Sequence, residues 1–283
     1  MPSTYKASVL LDGLAFPESP RWHDGKLWFS DMFMHRVMTV TADGKVETVI
    51  SVPQQPSGLG WLPDGRMLVV SMLDRRLLRL DPSGLMVAAE LGDMAHYHCN
   101  DMVVDRHGRA YIGNFGFDFL TKQPAKATVL ILVTPDGKKR VVAEDMLFPN
   151  GSVITPDGGT LIVAETYARR LTAFTITQDG SLTGRRVWAK LQGATADGIC
   201  LDAEGAIWAA SPISSEVVRV REGGEITHRI AVETQGIACM LGGEDRRTLF
   251  ILSAPLVAAE EGRALKRGRI EATRVDVAGA GLP

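Results

Sequence analysis

Short apolar runs of four to six residues, rich in Val, Ile and Leu, alternate along the whole chain with glycine-marked turns. The clearest copy is Phe148-Pro149-Asn150-Gly151-Ser152-Val153-Ile154, then Thr155-Pro156-Asp157-Gly158, then Thr160-Leu161-Ile162-Val163-Ala164-Glu165. It reads as a polar residue, an apolar strand, a tight turn and a second apolar strand. The unit recurs six times, with turn glycines at Gly25, Gly65, Gly108, Gly158, Gly205 and Gly243, spaced by 38 to 50 residues. Glycine suits such hairpin turns because it reaches positive φ without a steric penalty. Runs this short, punctuated by glycine, do not carry the 3.6-residue period of a helix.

Each unit continues into a third strand: Arg36–Val40, Leu77–Leu80, Val129–Val133, Leu171–Thr175, Val217–Val220 and Ile270–Val275. Most lead through a further glycine turn into a fourth. Four short strands per repeat of this length match one propeller blade. The sixth unit runs out near Val277 without a fourth strand, whereas Tyr5–Leu14 is an extra strand before the first unit. That segment is expected to be the outermost strand of the last blade, closing the ring and removing an open edge. The expected fold is an all-β, six-bladed β-propeller forming one domain over residues 1–283. Residues 254–267 fit a helical turn or a loop equally well.

The first strand of a blade runs along the central channel. Counting back eight residues from the turn glycine, or seven in the first unit, gives Glu18, Ser57, Asn100, Asn150, Asp197 and Gln235. All six are polar at the head of apolar strands. Two carboxylates facing each other across a buried axis would repel. A cation held by Glu18, Asn150 and Asp197, with Asn100 as a further candidate, relieves the repulsion. Oxygen donors favour a hard ion, so one divalent metal is expected, calcium first, with Mn2+, Mg2+ or Zn2+ as the other choices. The second-strand ends Asp31, Ser71, Asn114, Glu165 and Ser211 return to the same mouth, where Asp31 or Asn114 alone would serve to satisfy loop backbone groups.

Composition narrows the function. Basic and acidic side chains number 31 and 33, giving a net charge of -2. The densest basic stretch, Arg263, Lys266, Arg267 and Arg269, is flanked by the acids Glu260, Glu261 and Glu271 and reads as a solvated loop. No nucleic acid is expected as a partner. No apolar run approaches the roughly 18 residues of a membrane helix. The start lacks the apolar core of a secretory signal. The three cysteines, Cys99, Cys200 and Cys239, form neither a disulfide framework nor a zinc pattern. A soluble, cytoplasmic protein follows as the expectation; its oligomeric state is not encoded in any visible pattern.

The segments Phe16-Pro17-Glu18-Ser19-Pro20-Arg21-Trp22, Asn100-Asp101, Phe148-Pro149-Asn150-Gly151 and Ala196-Asp197-Gly198 are similar to signature segments of the gluconolactonase, regucalcin (senescence marker protein) and luciferin-regenerating enzyme family. The resemblance spans essentially the whole chain. It implies a six-bladed propeller with a divalent metal on Glu18, Asn150 and Asp197. It further implies that Asn100 contacts substrate or metal and that lactones or related esters are hydrolysed. Sugar-lactone members of that family carry an arginine two residues before the equivalent of Asn100. This chain has His98 there. The connection Phe115-Gly116-Phe117-Asp118-Phe119-Leu120, running on to Lys126, joins Met32, Phe33, Met34, Met72 and Tyr167 as an apolar lid. Phe115, Phe117 and Tyr167, with His98 and Asn100, are the expected substrate contacts. The expected substrate is a small lactone or ester more hydrophobic than gluconolactone.

In the expected chemistry the cation polarises the lactone carbonyl and a water attacks it. Calcium is a weaker Lewis acid than zinc, so a general base is needed: Asp197 first, His98 second. Gly151-Ser152 lacks nucleophile-elbow spacing, and Cys99 reads as a plain buried thiol. The same metal ring would serve a phosphotriester (organophosphate) hydrolase, and a non-catalytic calcium-binding propeller would keep the fold without turnover.

Overall fold

The computed structural model describes residues 3–283. Strands dominate, arranged as six sheets around one axis, each built on four antiparallel strands. Blade 1 is Pro17–His23, Lys26–Asp31, Arg36–Val40 and Val46–Ser51. Blade 2 runs Pro56–Trp61, Met67–Ser71, Arg76–Asp81 and Gly84–Glu90; blade 3 runs Cys99–Val104, Ala110–Asn114, Thr128–Val133 and Lys139–Met146. Blade 4 is Pro149–Ile154, Thr160–Glu165, Arg170–Ile176 and Leu182–Lys190. Blade 5 follows with Ile199–Leu201, Ile207–Ser211, Glu216–Val220 and Ile226–Ala231. Blade 6 takes Gln235–Gly242, Thr248–Ala254 and Gly268–Arg274, and its fourth strand is Ser8–Leu14 from the N-terminal end.

The closure anticipated from the sequence is therefore present. Ser8 lies opposite Ala272 and Leu14 opposite Gly268 in an antiparallel ladder. First strands of successive blades pack on one another all the way round, blade 6 meeting blade 1. Both faces of every blade are covered, so the interior strands are apolar on both sides. Trp208, Phe29, Leu27, Leu249 and Phe250 fill one seam in full burial.

Two contacts lay outside the sequence-based expectation. Ser3–Thr4 adds a fifth, parallel strand to blade 5, opposite His228 and Arg229. At the other end the chain crosses beneath three blades: Gly279 N–H donates to Arg246 O, Ala280 N–H to Leu201 O, and Leu282 pairs with Ile154. The undecided stretch contains a helix, Ala259–Leu265, ended by Lys266 in the left-handed conformation. Gly262 faces the Phe33 ring, where a Cβ would stand 2.6 Å from Cδ2. No helix of the described residues is long and apolar enough to cross a membrane.

The inner strands are not regular. Their ladders slip between Glu18 and Arg21, Pro56 and Leu59, Cys99 and Met102, and Pro149 and Ser152. A bulge re-aims the extra residue off the sheet face. It is at these slips that Glu18, Ser57, Asn100 and Asn150 sit. Glycine follows several of the axial polar residues because neighbouring blades come together there. A Cβ on Gly198 would lie 2.4 Å from Ala238 Cβ, and one on Gly151 2.7 Å from Asp197 O. Gly198→Ala is expected to destabilise the ring by about 1–3 kcal/mol through overpacking, readable as a lower urea midpoint; an unchanged midpoint would show that the blades can spread.

Candidate functional site

Glu18, Asn100, Asn150 and Asp197 come from four blades and line one cavity of about 640 Å³ at one mouth of the axis. Their exposures run from 2% to 8%. Ser57 and Gln235 do not line it. The Ser57 carbonyl accepts the Ser30 hydroxyl, and Gln235 Oε1 accepts Leu256 N–H at 3.3 Å.

The floor is short of partners. Glu18 Oε2 accepts the Ser19 N–H at 2.7 Å. Asn150 Oδ1 and Asp197 Oδ1 are buried with no hydrogen-bond partner. Thr166 sets the amide orientation of Asn150. Its single hydroxyl proton goes to Ala196 O at 2.7 Å, so toward Asn150 it accepts, taking Nδ2 at 3.3 Å. That leaves the Asn150 oxygen as the unpaired atom. Asn100 donates Nδ2 to Pro149 O at 3.3 Å.

Burial, then the nearby charges of Asp197 and Asp101, pushes the Glu18 carboxyl well above its ordinary value. Burial followed by Asp101 does the same to Asp197, with the Asn150 side chain pulling the other way. Asp101 itself is compensated. Arg21, 3% exposed, donates to Asp101 Oδ1 at 2.5 Å, to Met102 O at 2.6 Å and to Leu59 O at 2.9 Å. With Asp101 cancelled by Arg21, two formal negative charges remain at full ionisation, the complement of one divalent cation. No cluster of three His, Cys, Asp or Glu side chains capable of holding a metal occurs among the described residues. The donor set is instead two carboxylates with carboxamides. Such oxygens, two of them orphaned, fit a hard divalent ion.

The second-strand ends are struts. Asp31 accepts Ala15 and Phe16 N–H and pairs with Arg36. Glu165 repeats this in blade 4 with Leu147 N–H and Arg170. Asn114 bonds Val129 O and Thr128, and Ser211 accepts Thr195 N–H.

Above the floor the wall is apolar and aromatic. Phe115 stacks on Phe148 with centroids 4.5 Å apart, and Phe119 meets both edge-on. Phe16, Met32, Phe33 and Met72 complete the inner wall. Leu120, Tyr167, Ile213 and Leu256, between 47% and 63% exposed, form an apolar rim. His98 is half-buried on this wall, stacked on Tyr97 at 4.1 Å, and burial lowers its pKa. One expected contact is corrected: Phe117, at 2% exposure, packs behind Phe148 and Tyr167 and does not face the cavity, and Met34 is off the wall as well.

The family described as SMP-30/Gluconolactonase/LRE-like region matches residues 16–255. This chain belongs to that family. A 6-deoxy-6-sulfogluconolactonase of Pseudomonas putida is 26% identical, over 94% of this chain and 93% of its own. A calcium-binding protein, regucalcin, from Agrobacterium tumefaciens superposes with a TM-score of 0.82 at 24% identity, covering 99% of this chain and 97% of the other. A gluconolactonase of Xanthomonas campestris gives 0.75 at 23% identity, covering 97% and 89%. At these identities the two solved structures establish the shared propeller fold.

Within this family fold, several wall residues escaped the sequence reading. Leu256, Val257 and Ala259 come from residues 254–267, whose pattern fits a helical turn or a loop, and Pro212 and Ile213 from a blade 5 connection. Their signal was faint: isolated apolar residues in top-side loops. Arg21 and Asp101 lay inside the recognised segments, but nothing in the sequence pairs residues 80 positions apart. Cys99, fully buried, has its thiol pushed up to about 12 by burial, which leaves it inert as a nucleophile.

Proposed function

We propose that the protein is a metal-dependent lactonase, a carboxylic ester hydrolase whose substrate is more apolar than a sugar lactone. The observation that carries this reading is the pairing of two uncompensated buried carboxylates, Glu18 and Asp197, with an orphaned Asn150 oxygen beneath an aromatic wall. Family membership supports the reaction class, since the Pseudomonas relative is named for a lactone. Calcium is the favoured ion, as in the name of the Agrobacterium protein.

A divalent ion held by Glu18, Asn150 and Asp197 would supply Lewis-acid stabilisation of the charge developing on the carbonyl oxygen. The chain's own residues do the rest. Asp197, with an unpartnered oxygen and a proton affinity raised by burial, takes the proton from the attacking water. His98, kept neutral near pH 7 by burial, is the second acceptor. Asn100, held by Pro149 O, positions the substrate. Phe115, Phe148 and Tyr167 seat its apolar body and exclude water from the ester. An aldonolactone would leave its hydroxyls unpaired against these rings, at about 1–3 kcal/mol each.

The deciding experiment is a lactone panel, sugar-derived against alkyl or aromatic, run on chelator-treated protein refilled with calcium, manganese, magnesium or zinc. Apolar lactones are expected to open only in the metal-loaded samples. No opening with any metal would favour a non-catalytic calcium-binding propeller, and turnover of phosphotriesters alone would favour the organophosphate reading. The pH profile separates the two bases. In wild type kcat/KM falls as acid protonates His98, below the ordinary 6.5 because burial lowers its pKa. His98→Gln should delete that ionisation from the acidic limb; an identical profile would remove His98 from proton transfer.

A further inference from the structure

Two charged groups other than the floor carboxylates line the cavity: Asp118 and Arg169. Asp118 is already engaged, accepting Leu120 N–H at 3.1 Å and Thr121 N–H at 3.2 Å, and facing the Tyr97 hydroxyl. Arg169 is different. Its backbone N–H bonds Thr166 O and its carbonyl accepts Leu191 N–H, yet its guanidinium has no hydrogen bond or ion pair among the described residues.

The same position recurs in other blades and shows what is unusual here. His35, Arg75, Arg169 and Ser215 are each left-handed residues just before the third strand, with φ of 57°, 55°, 49° and 49°. Each gives its carbonyl to the loop after the fourth strand, to Val52, Leu91, Leu191 and Val232 N–H respectively. Where the side chain is long enough it is tied to that loop: His35 Nδ1 to Pro53 O at 2.7 Å, and Arg75 Nη1 to Gly92 O at 3.3 Å and Ala95 O at 3.2 Å. In blade 4 the tether is missing, and Arg169 lies instead on the cavity wall beside the apolar rim.

A solvent-exposed planar fork of donors with no protein acceptor, beside the apolar rim of the cavity, selects a planar or oxyanionic group on the ligand. The floor has to take the reacting carbonyl while Arg169 stands on the wall beside the rim, so that group must sit at the far end of the molecule from the ester. We infer that Arg169 is a specificity-determining residue, and that the substrate is an apolar lactone carrying a carboxylate or sulfonate remote from its carbonyl. This inference rests on the lactonase reading for the reaction, though not for the binding of the anion.

The test uses two pairs of probes on wild type, Arg169→Met and Arg169→Lys. The first pair is an aryl-alkyl lactone with a terminal carboxylate and its methyl ester. Wild type is expected to prefer the acid, mainly through KM. Arg169→Met should lower the acid-to-ester ratio of kcat/KM by about 10- to 100-fold, with part retained in Arg169→Lys. The second pair, measured by calorimetry without divalent metal, is an arylalkyl sulfonate and its sulfonamide. Wild type should favour the sulfonate, and Arg169→Met should bind both alike. If lactones open with no preference for the acid, the Arg169 assignment fails and the lactonase survives. If no lactone opens but the sulfonate preference depends on Arg169, the anion subsite stands and the lactonase reading falls. Equal sulfonate affinity in wild type and Arg169→Met overturns the assignment whatever the lactones do.

Discussion

Asp197→Asn is expected to abolish most lactone opening, by about 10²–10⁴-fold as for loss of a general base, while making the metal-free protein more stable at pH 8. The two effects have one cause. Burial, then the charge of Asp101, raises the Asp197 pKa well above the ordinary 3.8, the Asn150 side chain opposing. A carboxyl with a raised folded-state pKa binds more protons folded than unfolded, so its contribution to stability is present in acid and lost as pH rises through the raised value. Without metal, wild type should lose this contribution between the ordinary carboxylate range and pH 8. Asp197→Asn carries no charge to bury and escapes the loss. Added calcium should reverse the order, since an ion bound only by the folded state stabilises by mass action, about 2.7 kcal/mol at a hundredfold excess over Kd. Thermal melts of both proteins at pH 5 and pH 8, with chelator and with calcium, read all of this. A chelated variant no more stable than wild type at pH 8 would mean that Asp197 is not an uncompensated charge.

Arg21→Met should be the most destabilising single change near the axis. Arg21 ties blade 1 to blades 2 and 3 through Leu59 O, Asp101 and Met102 O, and it is the cation that neutralises Asp101. Removing one member of a buried pair costs about 3–5 kcal/mol, because the partner stays behind uncompensated. For a chain of this size that is a fall in Tm of roughly 10 °C. Adding Asp101→Asn to Arg21→Met should recover part of the loss, the unpaired carbonyls accounting for the remainder. The double-mutant cycle by urea denaturation measures the coupling directly. A coupling near zero would make Arg21 a packing residue whose charge is irrelevant to the site.

The blades were legible because their signals are local. Asp-Gly turns such as Asp157-Gly158 and the Val, Ile and Leu runs on either side encode hairpins within about a dozen residues, and the 38–50 residue spacing repeats them. The missing fourth strand of blade 6 and the surplus one before blade 1 could be matched by counting, and Ser8–Leu14 sits where the count places it. Counting also brought Glu18, Asn150 and Asp197 to one cavity, because each turn glycine lies at a nearly constant distance from the residue heading its inner strand. The reading of Phe117 failed for a related reason. Strand alternation says which residues leave a sheet face, but in the irregular connection 115–126 no period tells an inward ring from one packed behind it.

The amino-acid sequence alone determined the ring, its closure and the polar residues gathered at its mouth, since hairpin geometry and strand period act between near neighbours. Only the tertiary structure decided which charges are compensated and which are not. Arg21 cancels Asp101 across three blades while Glu18 and Asp197 stay uncompensated, and Arg75 is tethered to a loop where Arg169 is free. The energy of a buried charge depends on what long-range packing places within a few ångströms of it, and no local pattern carries that information.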